Sequence, residues 1–500
     1  MKIFNSEQIR KIDSETIRRE GVPSLVLMKR ASKAFFDRYI EFFPNKHTSI
    51  IVFAGVGNNG GDALGVARIL NSSGYKVKVC CVEYSANYSE DCEHNLRRVK
   101  AENVSFKKIF NEKDIPEIEG YDVIIDGIFG TGLSREIVGV AAEVIKRINE
   151  SEKPIISIDV PSGLFLDKKT TFAVRSTKTI TFQVPKIALF LPDNKQYFGE
   201  VNIVPIGLNE DVIKETETNY YYIGTKEAAS LLKPLSKFAH KGTQGHTLII
   251  GGSLGKTGSV CLATKAALRV GCGLATAYVP KCSMVVIQSN VPEVMAIEDK
   301  NEEYLTSIKY DIKPKSIGIG IGMGQNKSTQ KAFYEFLKNN SSPTVIDADA
   351  LNILSQNSIW LSLLRANTIL TPHPKELERL IGEWSDDFDK IQKTRLFAKK
   401  YNLIVVVKGA NTLIIDEKNV YVNSSGSPAL GTAGSGDVLT GMIAGLLAQG
   451  YSSLDAARIG VYLHGLTANL YQLNNHPLSL IAGDIIDYIG VAYRKLEKNS

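Results

Sequence analysis

Three short stretches place oxygen-bearing side chains directly after apolar runs. "VFAGVGNNGGD" delivers Asn58, Asn59 and Asp62 among the glycines Gly60 and Gly61; "VIIDGIFGTG" delivers Asp126 and then a turn through Gly130, Thr131 and Gly132; "ISIDVPSG" delivers Asp159 and Ser162. In an open parallel sheet, ligands lie beyond the carboxyl ends of the strands. If these strands lie side by side, the polar side chains converge on one crevice. The hard oxygens of Asn59, Asp126 and Ser162 suit an alkali or alkaline-earth cation, and the amides of Gly130 to Leu133 suit a phosphate. Asp159, following an apolar isoleucine, is placed for general acid or base work. The glycine loop departs from the dinucleotide fingerprint, because "GVGNNGG" has no third glycine at the required spacing. The same residues also suit a plain turn, with Asn and Gly supplying positive φ and Asp62 capping the next helix.

A second set lies in the carboxyl-terminal half. "GTAGSGDVLTGMIAGLL" joins a glycine turn to a long apolar helix with Asp437 at the junction. Amides of Gly434 to Gly436 at a helix amino terminus form an anion hole, and an adjacent carboxylate can take a proton from an attacking hydroxyl. That combination suits phosphoryl transfer. An Asp cap after a flexible turn is the plainer explanation, but three glycines in six residues exceed what a cap needs. "VVVKGANTLI" sets Lys408, Gly409 and Ala410 after a strand, where a backbone can approach a nucleotide or simply turn a hairpin. His373, bracketed by prolines, follows another strand, and a lone histidine there is either structural or a cleft residue. Asp347 and Asp349 in "IDADALN" could cap a helix, bind Mg²⁺ or do both.

The elements that must hold these residues alternate. From residue 48 short β-branched runs and helical segments follow one another, which argues for a mostly parallel α/β sheet. The opening "MKIFNSEQIRKIDSETIRRE" reads as an amphipathic helix, with the helical segment ending near "GVPSLVLMKRAS". A polar stretch places a domain boundary near residues 210 to 225, and a second strand–glycine–helix series begins at "HTLIIGG". Five hundred residues exceed one ordinary core. A net charge of +6, spread along the chain with acids interleaved, leaves no nucleic-acid footprint. Six cysteines show no metal-ligand spacing and fit packed, reduced thiols. No signal-type or membrane-spanning run is present, so the expectation is a cytoplasmic protein without membrane partners.

The ordered set "GVGNNGGDALGVARIL", "DGIFGTGLSREI", "IDVPSGL" and "TITFQVPK" resembles the NAD(P)H-hydrate epimerase domain, over residues 1 to 220. That family interconverts the epimers of NADHX and NADPHX, nicotinamide cofactors hydrated at C6, and has a Rossmann-like three-layer α/β/α fold. The resemblance implies that Asn58, Asn59, Gly60, Gly61 and Asp62, with Gly130, Thr131, Gly132, Leu133, Ser134, Arg135 and Glu136, bind the substrate. It further implies that Asn59, Asp126 and Ser162 bind K⁺, that Asp159 is the acid/base, and that the chain is a homo-oligomer. The chain departs from the family at Ala63, usually glycine, and at Lys29, usually glutamate.

"HKGTQGHTLIIGGSLGKTGS", "GIGIGMG", "DADALN", "TPHPKE", "VKGANT" and "GTAGSGDVLTG" resemble the ADP- or ATP-dependent NAD(P)H-hydrate dehydratase domain, of the ribokinase-like α/β/α superfamily, over residues 225 to 495. By this resemblance Ser259, Gly322, His373 and Asp437 contact the hydrated substrate. Lys408, Gly409, Ala410, Asn411, Thr412 and Gly436 contact ADP or ATP. Ser259, Lys375 and Asn411 replace the family's usual alanine, glycine and glycine. Two other readings fit the same residues: a ribokinase-like small-molecule kinase fused to a dinucleotide-binding regulatory domain, and a dinucleotide sensor without catalysis.

Overall fold

The computed structural model describes residues 1–498. The chain divides into two compact units, one of residues 1–220 with 386–388 and one formed by the remainder from residue 221. Among the described residues no helix is long and apolar enough to cross a membrane.

The first unit is built on seven parallel strands: β1 (Ser49–Ala54), β2 (Lys76–Val82), β3 (Ser105–Ile109), β4 (Val123–Gly127), β5 (Ile155–Ile158), β6 (Lys178–Phe182) and β7 (Glu200–Val204). They lie in the order β3-β2-β1-β4-β5-β6-β7. β4 and β5 are buried at every position, so they read as continuous apolar runs rather than as an alternation. The order reverses between β1 and β4, which opens a crevice at their carboxyl ends. Asn59 follows β1, Asp126 is the last residue but one of β4, and Asp159 and Ser162 follow β5, so the three polar stretches come from adjacent strands.

Helix α1 (Ser6–Glu20) opens on Asn5, whose side chain accepts from the Gln8 amide while the Gln8 side chain accepts from Asn5, and it ends at Gly21 with φ 63°. A second helix, α2 (Ser24–Phe42), begins directly after Pro23. The stretch expected to end the first helix therefore starts another. Proline lacks the amide a helix interior needs but costs nothing at a helix opening. α3 (Asn58–Ser72) begins at the asparagines themselves, with Gly57 as its cap. Asp62 consequently lies inside this helix and does not cap it. The small residues of α3 let its backbone approach closely: a Cβ on Gly60 would stand 1.9 Å from the Gly55 carbonyl oxygen, and one on Gly61 would stand 2.6 Å from Met28 Cε of α2. Two further helices, α4 (Glu90–Ala101) and α5 (Val140–Glu150), complete the layers used below.

The second unit contains β8 (Tyr220–Ile223), β9 (His246–Ile250), β10 (Leu274–Val279), β11 (Met295–Glu298), β12 (Ser316–Ile319), β13 (Thr344–Ile346), β14 (Ile369–Leu370), β15 (Ile404–Val407), β16 (Leu413–Ile415) and β17 (Val420–Asn423). Their order is β8-β17-β16-β15-β14-β13-β12-β9-β10-β11. Pairings from β11 through β15 are parallel, whereas β15, β16 and β17 form antiparallel pairs. The helices that matter for the site are α6 (Gly258–Arg269), α7 (Asp349–Gln356), α8 (Pro374–Ile381), α9 (Ser435–Ala448) and α10 (Ser453–Tyr471).

α9 is apolar on every side, as expected of a helix sunk in a core. It touches α6 backbone to backbone. A Cβ on Gly441 would stand 2.0 Å from the Ala263 carbonyl oxygen, and one on Gly445 would stand 2.7 Å from that of Ala267. Both contacts advance four residues along each helix, so the two run parallel in register. One turn back along that register, Asp437 falls beside Ser259, and the two first turns meet at the same end of the sheet.

Gly441→Ala must part these helices. Overpacking of this kind costs about 1–3 kcal/mol, against which the better helix propensity of alanine returns less than about 1 kcal/mol. The expected outcome is a lowered urea midpoint for the second unit's unfolding, read by tertiary-structure signals; an unchanged midpoint would contradict the close crossing.

Candidate active site

In the first unit a cavity of about 600 Å³ lies over the carboxyl ends of β1, β4 and β5. Its walls include Asn58, Asn59 and Asp62 of α3, the loop from Gly130 to Arg135, and Asp159. The aromatic rings of Tyr84 and Phe129, with centroids 4.5 Å apart, form part of the same wall. α1 supplies Arg10 and Asp13, and it also braces the loop: Ser6 Oγ donates to the Thr131 carbonyl at 2.7 Å and Arg10 to the Gly132 carbonyl at 3.3 Å.

Asp159 is the most constrained group in this cavity. Its backbone is left-handed at φ 65°, a conformation that strains a non-glycine residue. It holds because the surroundings over-determine it. The Asp159 amide donates to the Ile180 carbonyl at 2.9 Å, and Oδ1 accepts from Thr181 Oγ1 at 3.1 Å, the Phe182 amide at 3.0 Å and Lys186 Nζ at 2.6 Å. The Lys186 side chain is 2% exposed. Among the described residues three further carboxyls, Asp13, Asp62 and Asp91, line the cavity without such a partner. Burial, followed by the charge of Asp159, pushes Asp13 up to about 7. Burial, followed by the charges of Asp159, Asp13 and Asp91, holds Asp62 well above the usual carboxylate range.

Asp126 is fully buried below this cavity. Its oxygens accept from the Ser162 hydroxyl, from the Ser162 amide at 2.8 Å and from Ser157 Oγ at 2.7 Å. None of these donors carries a charge, and burial outweighs them in raising the Asp126 pKa. Ser162 Oγ also accepts from the amides of Ile128 and Phe129, at 3.1 and 2.8 Å. Asn59 Nδ2 donates to the Phe129 carbonyl at 3.0 Å, which draws Asn59 to the same spot.

In the second unit the carboxyl ends of β13, β14 and β15 deliver Asp347, His373 and Lys408. Lys408 Nζ lies 2.9 Å from Asp347 Oδ1 and 4.0 Å from Glu376 Oε2. Burial works against its charge, but Asp347 and Glu376 prevail and its pKa is raised. Asp347 also accepts from Thr440 Oγ1 of α9 at 2.8 Å and from the Ala348 amide at 2.8 Å. Lys408 reaches the start of α9, since a Cβ on Gly436 would stand 3.5 Å from its Nζ. There the first amides lack intrahelical partners, so an anion would meet both a helix terminus and an ammonium. Asp437 stands in that first turn. Burial, with Asp347 and Asp349, pushes it up to about 6, opposed by a hydrogen bond from Ser259 and by the charge of Lys408. A carboxylate near that value is ionised at neutral pH yet still basic.

Not every expected residue faces its cavity. Gly60 and Gly61 serve the packing of α3 and do not line the first cavity, and Glu136 turns to a separate recess beside Ile137 and Phe172. In the second unit Gly322 approaches Ser259, with a Cβ there 3.2 Å from Ser259 Oγ. His373 caps α8: its Nδ1 accepts from the Lys375 amide at 3.2 Å, and burial lowers its pKa, helped by Lys408. Lys408 to Thr412 form the hairpin between β15 and β16, closed by Thr412 Oγ1 donating to the Gly409 carbonyl at 3.1 Å. Asn411 Nδ2 donates to the Asn423 carbonyl at 3.1 Å. Asp349 begins α7 and accepts from the Gly324 amide at 2.9 Å. Among the described residues no cluster of three His, Cys, Asp or Glu is placed to hold a metal. Sequence reasoning missed Asp13, Tyr84, Lys186, Glu376, Thr440 and His464. His464 of α10 lies 3.0 Å from the Ser435 carbonyl, and burial pushes its pKa down to about 4.

Two α/β units, each with a partly or wholly buried acid at a strand end or helix start over a parallel sheet, have the architecture of an acid–base enzyme. Comparison with known proteins narrows it. Residues 247–490 match the family described as NAD(P)H-hydrate dehydratase, and residues 24–188 match the family of YjeF-related protein amino termini. The bifunctional NAD(P)H-hydrate repair enzyme Nnr of Dictyoglomus turgidum is 33% identical, with 98% of each chain covered. That of Moorella thermoacetica is 32% identical over 95% of this chain and 94% of its own. A crystal structure of a ribokinase-like superfamily protein from Enterococcus faecalis covers 56% of this chain and 98% of its own at 22% identity, with a TM-score of 0.50, which shows the fold alone. The chain belongs to the family of bifunctional NAD(P)H-hydrate repair enzymes. A full-length match across both units sets aside a kinase joined to an unrelated regulator.

Proposed function

We propose that the chain repairs hydrated nicotinamide cofactors: the first unit interconverts R- and S-NAD(P)HX, and the second dehydrates the S epimer to NAD(P)H at the expense of ADP or ATP. The observation that carries the second step is Asp437 in the first turn of α9, beside free helix amides and Lys408. The C6 hydroxyl is a poor leaving group. Asp437 takes its proton as the oxygen attacks the terminal phosphoryl group, the bridging P–O bond breaks to release AMP from ADP (or ADP from ATP), and the helix amides with Lys408 stabilise the charge that develops on the phosphate. Phosphate then leaves C6 of the ester with the C6–O electrons, C5 loses a proton, and the C5=C6 bond of the reduced nicotinamide is restored. Ser259, Gly322 and His373 would border the substrate, and the hairpin from Lys408 to Thr412, with Gly436, the nucleotide. Mg²⁺ would arrive on the nucleotide's phosphates and keep part of its water shell.

In the first unit Asn58, Asp62 and the Gly130–Arg135 loop would hold the substrate and Asp159 would act as the acid/base. The neutral donor set around buried Asp126 fits a monovalent cation held by Asn59, Asp126 and Ser162. Bound there, K⁺ would neutralise the Asp126 charge and stiffen the Phe129 loop. A cytoplasmic homo-oligomer completes the proposal.

Two outcomes test this. With S-NADHX and ADP or ATP, the reduced-nicotinamide absorbance should return, and its rate should rise with pH through about 6 as Asp437 ionises; Asp437→Asn should lose at least about 100-fold in kcat and the rising limb with it. No absorbance gain with either nucleotide would contradict the dehydratase. Replacing K⁺ by choline should slow epimerisation of R-NADHX, and Asn59→Ala should remove that sensitivity; indifference to the cation would contradict the proposed site.

A further inference from the structure

The reaction proposed for the first unit needs more than one proton position. C6 of the substrate bears both the hydroxyl and the ring nitrogen N1, so inverting it means breaking and remaking a bond to that carbon. Nitrogen leaves readily only if it is protonated as it departs, while the hydroxyl must lose its proton to become a carbonyl. An acid must reach N1 while a base reaches the C6 hydroxyl, and two separate groups can serve the two positions at once.

The cavity holds a second carboxyl suited to the other task. Asp13 projects from α1 into the same 600 Å³ space as Asp159, from a separate element of the fold. α1 is fastened to the loop at Thr131 and Gly132 by Ser6 and Arg10, which fixes Asp13 relative to the wall that would hold the substrate. Among the described residues the Asp13 carboxyl makes no hydrogen bond or ion pair, whereas Asp159 is tied to Lys186. We propose that Asp13 is a second catalytic residue of this unit, the acid that protonates N1 while Asp159 removes the proton of the C6 hydroxyl.

The step balances. The O–H electrons form the C6 carbonyl, the C6–N1 pair moves to nitrogen, and nitrogen takes the Asp13 proton, leaving an open aldehyde and a secondary enamine. Rotation about C5–C6 presents the other face of the aldehyde. Ring closure reverses both transfers, so the same charge state of the pair serves both directions. Two carboxyls held in different environments are the pattern of such acid and base assignments. Lys186 keeps Asp159 beside a cation, while burial and the Asp159 charge raise Asp13 to about 7, where it can both give and regain a proton. Asp62, on α3, is likewise held above the usual carboxylate range by burial and the charges of Asp159, Asp13 and Asp91. The charged or titratable groups around Asp13 are Asp62 of α3, Asp91 of α4, Tyr84, Arg135, Asp159 and Lys186, with Arg10 on its own helix.

This inference rests on the epimerase reading, and the test separates the two. The full chain is incubated with R-NADHX without nucleotide, and the epimers are resolved by chromatography at a series of pH values. Wild-type kcat is expected to fall as pH rises through about 7, because the acid form of Asp13 is lost. Asp13→Asn should reduce kcat by about 100-fold or more with KM within about threefold, and should lose the falling limb; Asp13→Glu should recover part of the rate together with a falling limb. Dehydration of S-NADHX with ADP by the same variants should match the wild type, which shows the chain to be intact. Asp13→Asn with kcat within about threefold of wild type, or a falling limb that persists in it, would overturn the assignment of Asp13 alone. No interconversion by the wild-type chain would overturn the epimerase reading and this inference together.

Discussion

A carboxylate withdrawn from water must find a cation or hold a proton, because an unpaired buried charge costs several kcal/mol. Both cavities are organised by which of these each acid does. Lys186, almost wholly buried, holds Asp159 at the end of β5, and Lys408 holds Asp347 at the end of β13. Acids without a lysine contact at hydrogen-bonding distance, among them Asp13, Asp62, Asp126 and Asp437, are pushed upward by burial. Each unit therefore carries one carboxylate tied to a lysine and at least one raised toward neutrality. Acid–base chemistry at a single pH needs that division.

Close backbone packing sets the positions. In the first unit the glycines that looked like ligand contacts hold α3 against β1 and α2, and this leaves Asn58, Asn59 and Asp62 at the cavity edge. In the second, the contact of α9 with α6 aligns Asp437 with Ser259. The departures from the family pattern follow the same geometry. The Ser259 hydroxyl bonds to Asp437 and lowers its pKa, opposing burial. Asn411 reaches across the hairpin to Asn423, Lys375 lies exposed at the start of α8, and Lys29 is exposed on α2. Ala63 is fully buried, and a Cβ on Gly127 would stand 2.6 Å from its methyl, so this glycine of β4 makes room for it.

The alternating strands and the acids that follow them were legible in the sequence, because a fully buried parallel strand announces itself as an apolar run and its carboxyl end as the first polar residue. Asp126, Asp159 and Ser162 were found this way, and Asp437 by the glycine turn that opens a long apolar helix. The resemblance to the repair enzymes supplied the substrate and the roles, which no spacing alone contains. Asp13 was hidden because "IRKIDSETIRRE" has the pattern of an ordinary surface helix, and only tertiary packing turns that aspartate inward. Lys186, Thr440 and His464 likewise meet their partners 27, 93 and 29 residues away in sequence. The opening helix was misread at Pro23, where a residue that stops helices from within was starting one.

The central claim is that two separate acid–base centres on one chain act in sequence on the two epimers of one damaged cofactor. The most direct measurement supplies an equal mixture of R- and S-NADHX with ADP and follows how much reduced nicotinamide forms before uncatalysed epimerisation contributes. The wild-type chain should convert the whole mixture and Asp159→Asn only the S half, while Asp437→Asn should form none yet still bring either pure epimer to the equilibrium mixture. A wild-type reaction that stops at the S half, or an Asp159→Asn chain that consumes both epimers at the wild-type rate, would contradict it.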